Sequence, residues 1–317
     1  MLISFVFSFR NEEENIPELV RRVSDVAASL PEVRHEMIFV NDASDDTSVE
    51  LLTTLQSSHP ITIITMSRRF GVTPCVIAGF AHARGDAVVY MDSDLQDPPE
   101  IVREMYQRFL AGADVVHATR TRREGETALK MYATRRAYRL INYFSDIHLP
   151  ENTGDFKLLS AKVVREILQL KEYDPYMRGL SVWVGYRQDF VLYERDRRFK
   201  GETKFPLFSR GPAMEFIRGL TAYSAAPLYF SFVFGLAVSL FAVVLILYAV
   251  ITKYLGIAAP GASGVLIALA FFAGVILMTN GLIGVYLARI YYEVKRRPRY
   301  IISSISTPSD RPTDARV

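Results

Sequence analysis

The sequence predicts an α/β domain with a mostly parallel sheet, followed by two membrane-spanning helices. Through residues 1–118, short apolar runs alternate with helical patterns, which is typical of repeated strand–helix units. Residues 219–252 and 254–288 contain no charged side chain, and uninterrupted segments of this length are typical of membrane spans. The chain is therefore expected to combine a water-exposed domain with a membrane anchor.

Composition gives no support for a nucleic-acid-binding, disulfide-stabilised or secreted protein. The 317 residues carry a formal net charge of only +3, which gives no argument for a nucleic-acid partner. The single cysteine, Cys75, excludes an intramolecular disulfide and fits a domain that folds in a reducing compartment. A signal peptide is not expected, because the first apolar run, residues 2–9, is short and is soon followed by three glutamates.

The soluble elements follow from local patterns. Strands are predicted where short apolar runs end in polar residues, at residues 2–9, 37–40, 61–65, 87–91 and 115–118. Residues 16–30 repeat apolar side chains at helical spacing, and Pro17 suits the first turn of a helix. Further helices are predicted at residues 98–110, 128–144 and 161–170. The irregular segment 119–205 is interpreted as an acceptor-side elaboration of the same domain.

Two spans are predicted at residues 227–251 and 264–286. At about 1.5 Å per residue, each can cross a hydrocarbon core of about 30 Å. Residues 208–224 mix apolar and basic side chains and predict an amphipathic helix on the membrane surface, with an ordinary exposed helix as the alternative. The predicted organisation is a domain at 1–207, this helix at 208–224, a helical hairpin at 225–292 and a basic tail at 293–317. The polar residues from Ser303 onward are expected to be disordered.

Basic residues predict the orientation of the hairpin. Arg210 and Arg218 precede the first span, Arg289 and a cluster at 295–299 follow the second, and the connecting loop offers only Lys253. Cytoplasmic segments close to membrane spans carry an excess of Lys and Arg. The domain and the C-terminus are therefore both expected on the cytoplasmic side of the inner membrane.

Polar side chains follow each of the first four predicted strands. They are Arg10 and Asn11, then Asn41 and Asp42, then Ser67, Arg68 and Arg69, and finally Asp92, Ser93 and Asp94. Open α/β sheets bind ligands in the crevice outside the carboxyl ends of their strands. Turn formation alone would favour Gly and Pro as much as Asp and Arg, so this repetition predicts a binding crevice.

Asp92 and Asp94 are the candidate metal ligands. One residue apart in an extended segment, they can direct two carboxylates at one hard cation, and Mg²⁺ or Mn²⁺ favours oxygen ligands. A helix cap built from aspartates is the alternative. The basic segment 195–204 fits contacts with phosphates, and attraction to anionic lipid is its alternative.

In their order, these segments resemble family 2 glycosyltransferases, in particular the branch that acts on polyprenyl phosphates, such as dolichol-phosphate mannose synthases and undecaprenyl-phosphate glucosyl- and aminoarabinosyltransferases. The segments are FSFRNEEENI (7–16), VNDASDDT (40–47), GFAHARGDAVVYMDSDLQDPPE (79–100), TGDFKL (153–158), RFKGETKFP (198–206) and GLIGVYLARIYYEVKRRPRY (281–300). Where the family has Asp-Asp-Gly-Ser, this chain has Asn41, Asp42, Ala43 and Ser44. Because this segment lies at the nucleotide edge in the family, the departure leaves the identity of the sugar donor open.

The resemblance implies a glycosyltransferase A-type, Rossmann-like domain and assigns its site residues. It implies that Asp92 and Asp94 hold Mg²⁺ or Mn²⁺ and that Asp155, with Asp94, is catalytic. Residues implied to bind the nucleotide sugar are Phe9, Asn11, Glu12, Asp42, Arg68 and Asp92. Arg198 and Lys204 are implied to hold phosphates of the donor or the acceptor.

The expected reaction transfers a hexose, with UDP-glucose as the first choice of donor, to polyprenyl phosphate with inversion, for cell-envelope glycosylation. GDP-mannose, UDP-aminoarabinose and UDP-GlcNAc are alternative donors. A membrane protein that only binds nucleotide sugars or lipid phosphates is an alternative from another class. A processive polysaccharide synthase is disfavoured, because only two spans follow the domain and no Gln-x-x-Arg-Trp segment occurs. Small residues in the spans leave a homo-oligomer open.

Overall fold

The computed structural model describes residues 1–122, 136, 139, 142–145, 147–150, 153–194, 219, 221–256 and 261–308. The chain forms two compact units. The first comprises Met1–Tyr143, Ile147–Gly219 and Pro298–Val317, and the second comprises Phe144–Asp146 and Leu220–Arg297. The chain therefore leaves the first unit, builds the second, and returns to the first.

The first unit contains an eight-stranded sheet flanked by helices. Its strands are β1 (Leu2–Phe9), β2 (Arg34–Asn41), β3 (Ile61–Met66), β4 (Ala87–Asp92), β5 (Val115–Arg122), β6 (Thr153–Ser160), β7 (Gln188–Glu194) and β8 (Ile302–Ser306). Its helices are α1 (Ile16–Ala28), α2 (Ser48–Leu55), α3 (Val72–His82), α4 (Val102–Leu110), α5 (Ala161–Gln169) and α6 (Met177–Trp183). A 3₁₀ turn at Pro99–Ile101 precedes α4.

The strand order across the sheet is β7-β5-β6-β4-β1-β2-β3-β8. The pairs β1–β2, β1–β4, β2–β3 and β5–β7 are parallel, whereas β4–β6, β5–β6 and β3–β8 are antiparallel. The predicted α/β class is confirmed, and all five predicted strands are present. The antiparallel strand β6 matters for the site, because its first residues lie at the same edge of the sheet as the last residues of β4.

The core packs helices against the central strands. Helix α1 buries the stripe that its sequence periodicity predicts, including Leu19 and Val23. Helix α3 approaches β1 so closely that a Cβ at Gly79 would lie 2.3 Å from Val6 Cγ1. A side chain at this position would push the helix away from the sheet, so glycine permits the packing. Close packing of α3 helps to fix the loop between β3 and α3, which borders the crevice.

Strand β8 corrects the prediction of a disordered tail from Ser303. Residues Ser304 to Ser306 instead pair with β3, with Ile64 opposite Ile305 and Thr65 opposite Ser304. The side-chain amide of Gln56, which is buried, donates to the Ser306 carbonyl over 3.1 Å and accepts from the Ser306 hydroxyl over 3.1 Å. The sequence did not predict this strand because its side chains are mostly polar. Backbone hydrogen bonds to β3 and the Gln56 side chain hold it in place, so it needs little apolar burial.

The second unit contains helices α7 (Ala226–Tyr254) and α8 (Ala262–Val294). Both predicted spans fall inside them. Ala226–Tyr254 and Phe271–Val294 are long and apolar enough to cross a membrane, with no buried residues in either apolar window, as a lipid-facing anchor requires. The Tyr286 hydroxyl donates to the Ser224 carbonyl over 2.8 Å, linking α8 to the start of the unit. The predicted helices at 128–144 and 208–224 lie mostly outside the described residues.

Replacing Gln56 with leucine is expected to loosen β8. The substitution keeps the side-chain volume but leaves the carbonyls of Ile61 and Ser306 without their amide donor, a loss that costs roughly 1–3 kcal/mol when the group is buried. Hydrogen exchange measured by mass spectrometry should show faster exchange in residues 302–306. Gln107→Leu, on the outer face of α4, is the matched control. Unchanged protection in Gln56→Leu would show that backbone pairing alone holds the strand.

Candidate active site

The carboxyl ends of β1 to β4 and the amino end of β6 bring the candidate residues to one edge of the sheet. In the antiparallel pair β4–β6, Tyr90 lies opposite Lys157. Continuing this register by two residues places Asp155 beside Asp92. The structure therefore gathers two predicted site residues that are far apart in the sequence.

A cluster of carboxylates surrounds Asp92. Burial is the largest cause of a pKa of about 7 for Asp92, well above the usual value. The negative charges of Asp155, Asp97 and Asp94 act in the same direction, and the positive charge of Arg120 opposes them. Burial and neighbouring carboxylates therefore disfavour the ionised form of Asp92, and a cation bound at the cluster would favour it.

The donor set at Asp92 and Asp94 suits a hard divalent cation. Both side chains are partly buried, and Asp94 Oδ1 accepts a hydrogen bond from the Gln96 backbone N–H at 3.2 Å. Leu95, which lies between Asp94 and Gln96, has a φ of 57°, so the chain turns sharply just after β4. Within the described residues, no group of three or more His, Cys, Asp or Glu side chains is arranged to hold a metal. Two carboxylates with open positions fit an ion that also binds substrate phosphates.

Asp155 forms a bidentate ion pair with Arg178 on α6. Arg178 Nε donates to Oδ1 at 3.1 Å and Nη2 donates to Oδ2 at 2.7 Å. Burial opposes ionisation of Asp155, but the charges of Arg178, Lys157 and Arg120 together outweigh it and lower the pKa of the carboxyl. Asp155 is therefore held as an oriented carboxylate.

Lys157 is fully buried two residues further along β6, on the same face as Asp155. Its ammonium group donates to Ser181 Oγ at 3.0 Å, one turn along α6 from Arg178. Burial lowers the pKa of Lys157 to about 8, and Asp155 counteracts part of that effect. Two strand residues thus contact two helix residues, which fixes α6 against β6.

A second ionic network joins three segments of the site. The Asp97 carboxylate, 1% exposed, accepts hydrogen bonds from the Tyr193 hydroxyl and from Arg120 Nη2. Arg120 Nε also donates to the Tyr193 oxygen at 3.0 Å. The guanidinium lies against Gly154, where a Cβ would be 2.8 Å from Nη2. Glycine before Asp155 therefore makes room for Arg120.

Asn11 and Asp42 organise loops on the side of the crevice where the sequence predicts nucleotide binding. Asp42 Oδ1 accepts from the Phe70 backbone N–H at 2.6 Å, and Oδ2 accepts from the Gly71 N–H at 3.0 Å. The Asn11 side-chain amide donates to Asp45 and accepts from the Asp45 backbone N–H. These bonds join the loops that follow β1, β2 and β3. Their predicted contacts with the nucleotide remain predictions.

The other predicted nucleotide residues differ in their accessibility. The Phe9 side chain is 2% exposed and packs edge-on against Phe39, so this residue presents its backbone rather than its ring to the crevice. Glu12 accepts a hydrogen bond from Asn15 Nδ2 at 2.7 Å. The exposed guanidinium of Arg68 lies 4.0 Å from the centre of the Phe70 ring. Arg198 and Lys204 lie outside the described residues.

Four residues of the site were missed by the sequence predictions: Asp97, Arg120, Arg178 and Tyr193. Lys157 lies within the quoted segment TGDFKL, but no role was assigned to it. Asp97 falls in the quoted segment after Asp94, which was a local signal. Arg178 and Tyr193 carried none, because their contacts depend on how α6 and β7 pack against β6 and β5.

Comparisons with known proteins agree with this architecture. The family described as glycosyl transferase family 2 matches residues 4–168. An uncharacterized glycosyltransferase of Synechocystis sp. is 39% identical, covering 96% of this chain and 95% of that protein. A prophage-derived bactoprenol glucosyl transferase of Shigella flexneri is 37% identical, covering 95% and 97%, and an Escherichia coli homolog of such enzymes is 34% identical, covering 96% and 99%.

Among solved structures, mannosyl-3-phosphoglycerate synthase from Rubrobacter xylanophilus is 15% identical, with a TM-score of 0.48 over 70% of this chain and 73% of that one. The α/β sheet followed by two long apolar helices is the glycosyltransferase A-like arrangement expected from the sequence. The family match spans more than half of the chain, and the similarity to the bacterial relatives runs along nearly all of it. The chain belongs to glycosyl transferase family 2.

Proposed function

We propose that the protein transfers glucose from UDP-glucose to the phosphate of a polyprenyl lipid, undecaprenyl phosphate, with inversion at the anomeric carbon. The observation that carries this proposal is the 34–37% identity, along nearly the whole chain, to proteins named for bactoprenol glucosyl transfer. Two features of the structure support it. A cluster of carboxylates around Asp92 lies at the carboxyl end of β4, where open α/β sheets bind ligands, and two apolar helices are long enough to anchor the protein in the membrane of a lipid acceptor.

In the proposed reaction, an oxygen of the acceptor phosphate attacks the anomeric carbon as the bond to the donor diphosphate breaks. The bonding electron pair leaves with the nucleoside diphosphate. A phosphate monoester has a second pKa of about 6, so the attacking oxygen is largely ionised near neutral pH and needs little help from a base. Asp155, held as a carboxylate by Arg178, is proposed to position the reacting groups, with proton acceptance as a secondary role.

Asp92 and Asp94 are proposed to hold Mg²⁺ or Mn²⁺ together with the donor diphosphate. When bound, such an ion supplies positive charge for the departing diphosphate. Asn11, Glu12, Asp42 and the backbone at Phe9 are proposed to shape the nucleotide site. Arg68, Arg198 and Lys204 are proposed to contribute positive charge to phosphates.

Other donors and a purely binding role are the competing functions. Purified protein should be offered UDP- and GDP-sugars with undecaprenyl phosphate, with and without Mg²⁺ or Mn²⁺, and the glycolipid identified by mass. A glucolipid formed from UDP-glucose supports the proposal, whereas a different sugar would reassign the donor. No product and no nucleoside diphosphate with any donor would favour a binding protein.

The variant Asp155→Asn is expected to lower turnover by at least about 100-fold, because a neutral amide can neither pair with Arg178 as a carboxylate nor accept a proton. Donor binding should remain measurable by isothermal titration calorimetry, since the nucleotide candidates lie on other strands. Asp25→Asn, on the exposed face of α1, is the charge-matched control. Turnover close to that of the native protein would remove Asp155 from the mechanism.

Removal of divalent metal is expected to abolish transfer. EDTA should stop release of the nucleoside diphosphate, and added Mn²⁺ or Mg²⁺ should restore it, because Asp92 and Asp94 alone leave the carboxylate cluster and the diphosphate unbalanced. In Asp92→Asn and Asp94→Asn, restoration should require roughly tenfold more metal or fail altogether. Full activity in EDTA, with the metal content verified by elemental analysis, would contradict the metal proposal.

The domain is proposed to face the cytoplasm, and the loop between α7 and α8 the opposite side. The native Cys75 is buried, and burial raises the pKa of its thiol, so it gives little background labelling. In spheroplasts, a membrane-impermeant maleimide should label Lys253→Cys and should label Ser57→Cys only after lysis. Both native side chains are exposed. The reverse pattern would invert the topology.

A further inference from the structure

A small pocket lies next to the Asp155–Arg178 ion pair. It is lined by Leu149, Pro150, Thr153, Tyr176 and Arg178. Thr153 is the first residue of β6, and Tyr176 immediately precedes α6. Because Arg178 both lines the pocket and pairs with Asp155, any ligand in the pocket lies directly beside the candidate reacting centre.

The strand order separates this pocket from the nucleotide candidates. Strand β6 neighbours β4 on one side, and β1, β2 and β3 follow β4 on the other. Asn11, Asp42 and Arg68 come after those three strands. A donor that reaches from them to Asp92 therefore has its transferable sugar directed toward β6. The pocket lies on the acceptor side of that position.

The lining combines groups suited to the two parts of a lipid phosphate, the charged phosphate and the hydrocarbon chain. Arg178 supplies a planar cation whose side chain is 35% exposed, and two residues with hydroxyl groups, Thr153 and Tyr176, line the pocket with it. The Thr153 hydroxyl also lies 3.5 Å from that of Thr119. Leu149 and Pro150 supply an apolar wall. Guanidinium and hydroxyl groups bind phosphate oxygens, and an apolar wall suits the hydrocarbon that follows.

Charge balance gives an independent reason for a cation here. A phosphate that approaches Asp155 is repelled by this carboxylate and by Asp92 close by. Arg178 forms an ion pair with Asp155. The buried ammonium of Lys157, on β6, contacts Ser181, one helical turn after Arg178 on α6. These cations, with Arg120 nearby, make the approach of an anion feasible at this edge of the cluster.

We infer that this pocket is the acceptor subsite, in which Arg178 contacts the phosphate of the polyprenyl lipid while Leu149 and Pro150 contact its first isoprene unit. The inference deepens the proposed function and rests on it. Arg178 then has two duties, because it orients Asp155 and also binds the attacking phosphate. Its loss should weaken acceptor binding as well as turnover.

Steady-state kinetics of Arg178→Lys test this assignment. Lysine keeps the charge but loses the planar fork, so the KM for polyprenyl phosphate should rise about tenfold, with the KM for the sugar nucleotide changed less than about twofold. Thr153→Val, which removes only a hydroxyl from the lining, should raise the acceptor KM alone by a few-fold, about 2–5 times. An unchanged acceptor KM with a lower kcat in Arg178→Lys would reduce Arg178 to an orienting role and overturn the subsite.

Arg165→Gln, on the exposed face of α5, is the matched control and should behave like the native protein. Thermal unfolding should show that each variant is folded. Inorganic phosphate serves as a probe of the apolar wall. It should bind at least about tenfold more weakly than polyprenyl phosphate if the first isoprene unit contributes. Equal affinities would overturn the hydrocarbon contact.

Direct binding separates this inference from the proposed function. Native mass spectrometry of the full chain in detergent should detect bound polyprenyl phosphate, weaker binding of the uncharged polyprenol, and loss of the phosphate complex in Arg178→Gln. If no sugar nucleotide gives a glycolipid, the proposed function fails. In that case this binding measurement alone tests the assignment of the pocket. Equal binding of polyprenyl phosphate by Arg178→Gln and the native protein would overturn that assignment.

Discussion

The crowding of like charges between β4 and β6 governs the arrangement of this site. Asp92 experiences the charges of Asp94, Asp97 and Asp155, and burial adds to the penalty of ionising it. Three cations, Arg120, Lys157 and Arg178, act against that repulsion. Arg178 pairs with Asp155 and Arg120 pairs with Asp97, whereas the predicted metal ligands Asp92 and Asp94 lie at and just after the end of β4. In the proposed function, a divalent ion held by Asp92 and Asp94 would supply the positive charge that offsets this repulsion.

The positions of these charges also indicate from which side of the sheet each substrate would approach. Asp155 lies on β6, and Asp97, although it follows β4, is bonded to Arg120 of β5 and Tyr193 of β7. Asp92 and Asp94 come at and just after the end of β4, next to the strands that lead to Asn11 and Asp42. Donor and acceptor can therefore approach from opposite sides of one strand. In the proposed reaction, Asp155 and Arg178 lie where the two substrates would meet, so one ion pair would both orient the reacting groups and receive the acceptor.

Local patterns in the sequence were enough for the central strands and for Asp92 and Asp94, because apolar runs and the polar residues that end them are neighbours in the chain. Asp155 was found only through the family resemblance. Its pairing beside Asp92 depends on an antiparallel register between strands far apart in sequence. Arg178 and Tyr193 were missed for the same reason. Strand β8 was missed because three of its five residues are serines, which gives little apolar signal, although its backbone completes the sheet.

Strand β8 also bears on how the molecule is made. Gln56 and Ser306, which hold it, are 250 residues apart in the chain. At a synthesis rate of about 5–20 residues per second, roughly 10–50 seconds separate their emergence from the ribosome. Throughout that interval the outer edge of β3 lacks its permanent partner, and both hydrophobic helices are made before the partner appears. The sheet can therefore be completed only after both apolar helices have been synthesised.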